Sequence, residues 1–95
     1  MSYNHSPSLE IEVKTITSGL IQELLPSKRF RQYLMIINNS ESSIKIAYQN
    51  SQPSVSQMAD LGVGGKDIFF DYVPISKVWV YQESGSDITV QVREE

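Results

Sequence analysis

Short runs of alternating apolar and polar residues, each cut off by a polar or glycine-containing turn, recur from Leu9 to Arg93. Alternation of this kind places one set of side chains on each face of a pleated strand and does not fit a helical period. Leu9, Ile11, Val13 and Thr15 alternate with Glu10, Glu12 and Lys14 until Gly19 breaks the pattern. Leu20–Leu25 is a short apolar segment ended by Pro26, and Phe30–Asn39 contains the continuous run Tyr33-Leu34-Met35-Ile36-Ile37. The Asn/Ser-rich stretch 38–43 has the composition of a hairpin turn. It leads into Ser43–Gln49, with Ile44, Ile46 and Tyr48 on one face and Lys45, Ala47 and Gln49 on the other.

Residues 50–66 form the longest irregular stretch. Ser54 and Gln57 fit a capping box, so 54–61 reads either as a short helix or as an extended loop. Gly62, Gly64 and Gly65 end any helix there. Asp67–Val73 reads as a strand with Ile68, Phe70 and Tyr72 together. Lys77–Glu83 sets Val78 and Val80 against Trp79 and Tyr81. Ile88–Arg93 sets Ile88, Val90 and Val92 against Thr89, Gln91 and Arg93. No strand is followed by a long helical pattern, which disfavours a parallel βαβ sheet. The expected fold is all-β: an antiparallel β-sandwich of about six to eight short strands, jelly-roll or immunoglobulin-like.

Ninety-five residues, 40% of them hydrophobic, suffice for one small domain. We expect it to span 9–95, preceded by a flexible polar arm at 1–8. The arm has neither a charged n-region nor an apolar h-region, so no signal peptide is expected, and no apolar run reaches the roughly 20 residues that span a bilayer. Cysteine is absent, which removes disulfides, thiolate metal sites and thiol catalysis. A net charge of −3 argues against a broad nucleic-acid surface. The sequons Asn4-His5-Ser6 and Asn38-Asn39-Ser40 are read as chance matches without a secretory signal.

The chemical motifs are weak. Leu61-Gly-Val-Gly-Gly-Lys66-Asp67 departs from a phosphate-binding loop, with Asp60 where the first glycine belongs and Asp67 where Ser or Thr should reach magnesium. His5, the only histidine, falls in the arm. Asp67 and Asp71 on one strand would stand roughly 13 Å apart, beyond the reach of a carboxylate pair. Asp60, Asp67 and Asp71 lack the alternating spacing of a calcium loop. The expectation is therefore no enzyme, no cofactor and no metal.

Two segments carry more apolar surface than a half-wet strand needs. Leu34 and Ile36 fill one face while Tyr33, Met35 and Ile37 make the other apolar as well; Val78 and Val80 likewise oppose Trp79 and Tyr81. One face of each belongs to the core. If the two strands share a sheet, the remaining faces merge into a patch of the composition favoured at interfaces. The candidate partner-binding residues are accordingly Tyr33, Met35, Ile37, Trp79 and Tyr81. Lys28, Arg29 and Arg31 read first as a solvated strand entrance; the functional alternative, by which Arg29 and Arg31 join the candidates, is an electrostatic contact to an acidic partner. The alternative is that segment 50–66 or 20–25 covers that surface.

Leu24-Leu25-Pro26-Ser27, followed by Arg31 and then Tyr33-Leu34-Met35-Ile36-Ile37-Asn38-Asn39, resembles small β-sandwich proteins among the structural proteins of tailed bacteriophages. The resemblance continues through Ser43–Tyr48, the glycines 62–65, Val73-Pro74 before Val78-Trp79-Val80, and the last strand. It departs at Gln49-Asn50, where the group usually has glycine. It implies a virion protein of the capsid decoration (cement) or head–tail accessory type, bound to the major capsid protein or another virion protein. It further implies a homo-oligomer; the expected partners are accordingly virion proteins and copies of the chain, a trimer being favoured, with no nucleic acid and no membrane. A carbohydrate- or receptor-binding module of a fibre or tail, using Trp79 and Tyr81, is the alternative reading.

Overall fold

Most of the alternating segments become strands because one face of each can be buried against a second sheet. The computed structural model describes residues 10–95, so the expected arm at 1–8 lies outside the described residues. The strands are β1 (Glu12–Ile16), β2 (Gln22–Leu25), β3 (Leu34–Ile37), β4 (Ile44–Tyr48), β5 (Ala59–Leu61), β6 (Lys66–Phe69), β7 (Val78–Tyr81) and β8 (Ile88–Glu94). A single 3-10 turn, Val55–Gln57, precedes β5.

Two four-stranded antiparallel sheets result, ordered β1-β8-β3-β6 and β2-β7-β4-β5. Hence β1 pairs with β8, β2 with β7, β3 with β6 and β4 with β5, as when one long hairpin is rolled over on itself. That order is a jelly roll, which selects between the two sandwiches expected from the sequence.

The core lies between the sheets. Ile16, Leu34, Ile36, Val90 and Val92 from the first sheet meet Leu25, Ile44, Ile46, Leu61, Val78 and Val80 from the second. Burying each such side chain contributes roughly 1.5–3 kcal/mol. At one margin the Tyr48 hydroxyl (β4) donates to Asp67 Oδ2 (β6) at 2.6 Å, and its ring meets Phe69 edge-on at 5.2 Å. These contacts tie one sheet to the other.

Four expectations are corrected. Segment 38–43 is no hairpin turn: β3 and β4 lie in different sheets, and 38–43 crosses between them. Asn38, fully buried, holds that corner, its Nδ2 donating to the carbonyls of Ser42, Leu61 and Gly62 and its Oδ1 accepting from Ser40. In β1 the faces are reversed. Glu12 and Lys14 stand opposite the buried Val92 and Val90, while Ile11 and Val13 are exposed. The reason is Ile16, fully buried, which shares the parity of Lys14 and so draws the polar set toward the core side. In β6, Phe69 pairs with Leu34 and Asp67 with Ile36, which turns Ile68 and Phe70 outward; Tyr72 lies beyond the strand. Finally, β3 starts only at Leu34, leaving 30–33 in the approach to it.

The loops gather at two ends. Segments 17–21, 38–43, 62–65 and 82–87 share one end, joined by Gly19 N–H to the Gln82 carbonyl and Gly64 N–H to the Asn38 carbonyl. Segments 26–33 and 70–77 share the other with Glu95, joined by Lys28 N–H to the Ile75 carbonyl and Gln32 N–H to the Glu95 carbonyl.

Candidate functional site

The outer faces of the two sheets differ. On the second sheet, Trp79 and Ala47 point away from the core, and the chain after β4 folds back over them. Pro53 is buried, Ser54 N–H donates to Gln57 Oε1 at 2.9 Å, and this turn delivers Met58 onto the sheet. Trp79, Ala47 and Met58 form a second small cluster with Ile21 and Tyr81 at its border. Trp79 is 9% exposed, and its Nε1–H donates to the Gln49 carbonyl at 2.9 Å. Lys77 reaches over the indole at 5.7 Å while pairing with Glu23 at 3.3 Å. Segment 50–58 therefore takes the covering role that the sequence left open as an alternative.

Tyr81 is half-buried, and its hydroxyl donates to Glu83 Oε1 at 2.7 Å. That bond raises the Tyr81 pKa above the ordinary phenol value. Tyr81 lines a cleft of about 170 Å³ with Lys45, Asp60 and Glu83, in which Lys45 and Asp60 are paired at 2.7 Å. The cleft is smaller than the usual ligand pocket.

Among the described residues, nothing folds over the outer face of the first sheet. Cross-strand pairing aligns Val13, Gln91, Ile37 and Lys66 in one row, with Arg93, Met35 and Ile68 in the next. Ile11, Val13 and Ile68 are 47%, 64% and 46% exposed, and Met35, Ile37 and Tyr33 are half-buried. Arg93 lies over the Tyr33 ring at 5.3 Å. Tyr33, Met35 and Ile37 are thus together. Trp79 and Tyr81 are in the other sheet, so the single merged patch envisaged from the sequence does not form.

The basic cluster is divided as well. Arg31 is buried: its Nε donates to Glu94 Oε1 at 2.8 Å, and its terminal nitrogens donate to the carbonyls of Pro26, Pro74 and Ser76. With its donors turned inward, Arg31 fastens 26–33 to 70–77 and is not presented to a partner. Arg29 is exposed, 5.4 Å above the Phe30 ring. Around it stand side chains that sequence reasoning did not single out as surface: Phe30 and Phe70, each 77% exposed, Tyr72 at 94% and Ile75 at 50%. Phe30 carried a signal, since it interrupts a run of basic residues ahead of its strand; the outward turn of Phe70 depended on sheet register.

Among the described residues, no group of three or more His, Asp or Glu side chains is placed to hold a metal ion. Asp67 is engaged by Tyr48, and Asp71 is exposed in the loop after β6. Burial, reinforced by Asp67, pushes the Tyr48 hydroxyl far above the ordinary phenol value of 10.0. His5 lies outside the described residues. Among the described residues, no helix is long and apolar enough to cross a membrane. Comparison with known proteins finds no matching family model, no matching curated protein and no matching solved structure.

Proposed function

We propose that the chain is a non-enzymatic virion structural protein, a capsid decoration or cement protein that binds the major capsid protein and acts as a homo-oligomer. The observation that carries this reading is the asymmetry of the sandwich. One outer face is sealed by the chain's own 50–58 segment, while the other displays Ile11, Val13, Met35, Ile37 and Ile68. Apolar surface left open on a small domain marks an interaction site. The resemblance to phage β-sandwich proteins supplies the kind of partner. A repeating lattice would compensate for modest contacts through multivalency.

The sugar-binding alternative draws less support from the geometry, because Trp79 lies beneath other residues and only Tyr81 borders a cleft. The test is uptake. Purified capsids that lack this protein should bind it at a fixed ratio to the major capsid protein. The double variant Val13→Lys/Ile68→Lys should fold normally and fail to bind. Capsids that ignore the wild-type chain, together with saturable binding on a glycan array, would reverse the order of the two readings.

A further inference from the structure

The two ends of the sandwich differ in the exposed charge around their apolar tips. At one end, Phe30, Phe70, Tyr72 and Ile75 are exposed beside Lys28 and Arg29, neither of which has a carboxylate partner among the described residues. Of the acids at this end, Asp71 is exposed in the neighbouring loop, while Glu94 and Glu95 are half-buried and paired with Arg31 at 2.8 Å and Arg93 at 3.2 Å. At the other end the turns present Glu41, Glu83 and Asp87, with Leu20 and Val63 exposed at 54% and 61%. Those turns contain no Lys or Arg, and Lys66 comes only at the start of β6. Backbone hydrogen bonds join 17–21 to 82–87, 38–43 to 62–65 and 26–33 to 70–77, and Glu41 and Asp87 line one cleft between the first two pairs.

Tyr72 adds an independent sign. Its φ is +54°, a left-handed conformation that costs a side chain other than glycine about 1 kcal/mol or more. Burial gives no return for that strain, since Tyr72 is the most exposed of the large apolar and aromatic side chains among the described residues. In that conformation the ring stands 94% exposed.

We infer that copies of this chain associate head to tail, the aromatic basic end of one seating on the acidic end of the next. Two aromatic ends facing each other would bring Lys28 and Arg29 against their own copies, and two acidic ends would do the same with Glu41 and Asp87. Only the unlike pairing matches charge, and it also places apolar side chains on both sides. A contact between different surfaces of identical chains propagates, closing into a ring or continuing as a filament. The inference rests on the oligomeric part of the function proposed above and assigns it to the ends, leaving the open face of the first sheet for the capsid.

The experiment is sedimentation velocity of the full chain over a wide concentration range, on wild type and two charge-reversed forms. One form carries Lys28→Glu and Arg29→Glu; the other carries Glu41→Lys and Asp87→Lys. Each alone should associate more weakly than wild type, and an equimolar mixture should recover association, because the reversed ends complement one another. Tyr72→Gly should weaken association by about thirtyfold, the effect of losing an interface hot spot, while raising thermal stability by relieving the strained φ. A strictly monomeric wild type would overturn the inference. So would a Glu41→Lys/Asp87→Lys form that associates as wild type does, since that points to a symmetric contact. Capsid uptake is scored separately: a monomer that coats capsids sinks only the head-to-tail contact, whereas a self-associating chain that ignores capsids leaves it standing.

Discussion

Removing the Arg31 guanidinium would leave Glu94 and the carbonyls of Pro26, Pro74 and Ser76 without their shared donor. Breaking one side of a buried ion pair costs about 3–5 kcal/mol. Arg31→Met should therefore lower the urea midpoint strongly. Arg31→Lys should rescue little of it, because an ammonium cannot span the same fork of acceptors. Tyr48 makes a different prediction. Its hydroxyl stays protonated in the native state well past the ordinary value of 10.0, whereas in the unfolded chain it ionises near that value. Above pH 10 the native state thus holds an extra proton, and stability falls with rising pH by about 1.4 kcal/mol per unit from this group alone. Tyr48→Phe should flatten the alkaline limb of a stability–pH curve while leaving its neutral plateau lower by the lost bond to Asp67.

Among the elements, the tight turn from β5 to β6 depends on Gly65. A Cβ there would come within 2.9 Å of both the Gly62 carbonyl oxygen and Leu61 Cδ1. Gly65→Ala should destabilise the fold by about 1–3 kcal/mol, the usual cost of overpacking, as read by thermal melting. The same scale shows what the residues alone disclosed. Strands β3, β4, β7 and β8 were legible because Leu34/Ile36, Ile44/Ile46, Val78/Val80 and Val90/Val92 keep a single phase and all are buried. In β1 two phases compete, Ile11/Val13 against Ile16, and nothing local says which one the core takes. Asn38–Ser43 has hairpin composition, but whether a turn pairs its flanking strands or carries the chain to another sheet is decided by partners far along the sequence. Of the candidate site, Tyr33, Met35 and Ile37 do share an outer face, while the cover over Trp79 depended on where 50–58 would fold.

For the whole molecule, the separation of surfaces is itself testable. Hydrogen exchange of the capsid-bound protein should show new protection on the outer face of β1 and β3, with the backbone beneath Trp79 unchanged. Protection confined to β2 and β7 would contradict the assignment of faces. The strand order carries one more consequence, for how the chain comes to be made. Strand β8 lies between β1 and β3, so a strand made after the other seven is the one that joins two of the earliest. Until residues 88–94 emerge, β1 has no neighbour and one edge of β3 is bare. Pairings this distant make folding slow, and the waiting edges invite aggregation. Ribosomes stalled before codon 88 should therefore hold a protease-sensitive chain, and a premature stop there should yield insoluble product rather than a smaller domain.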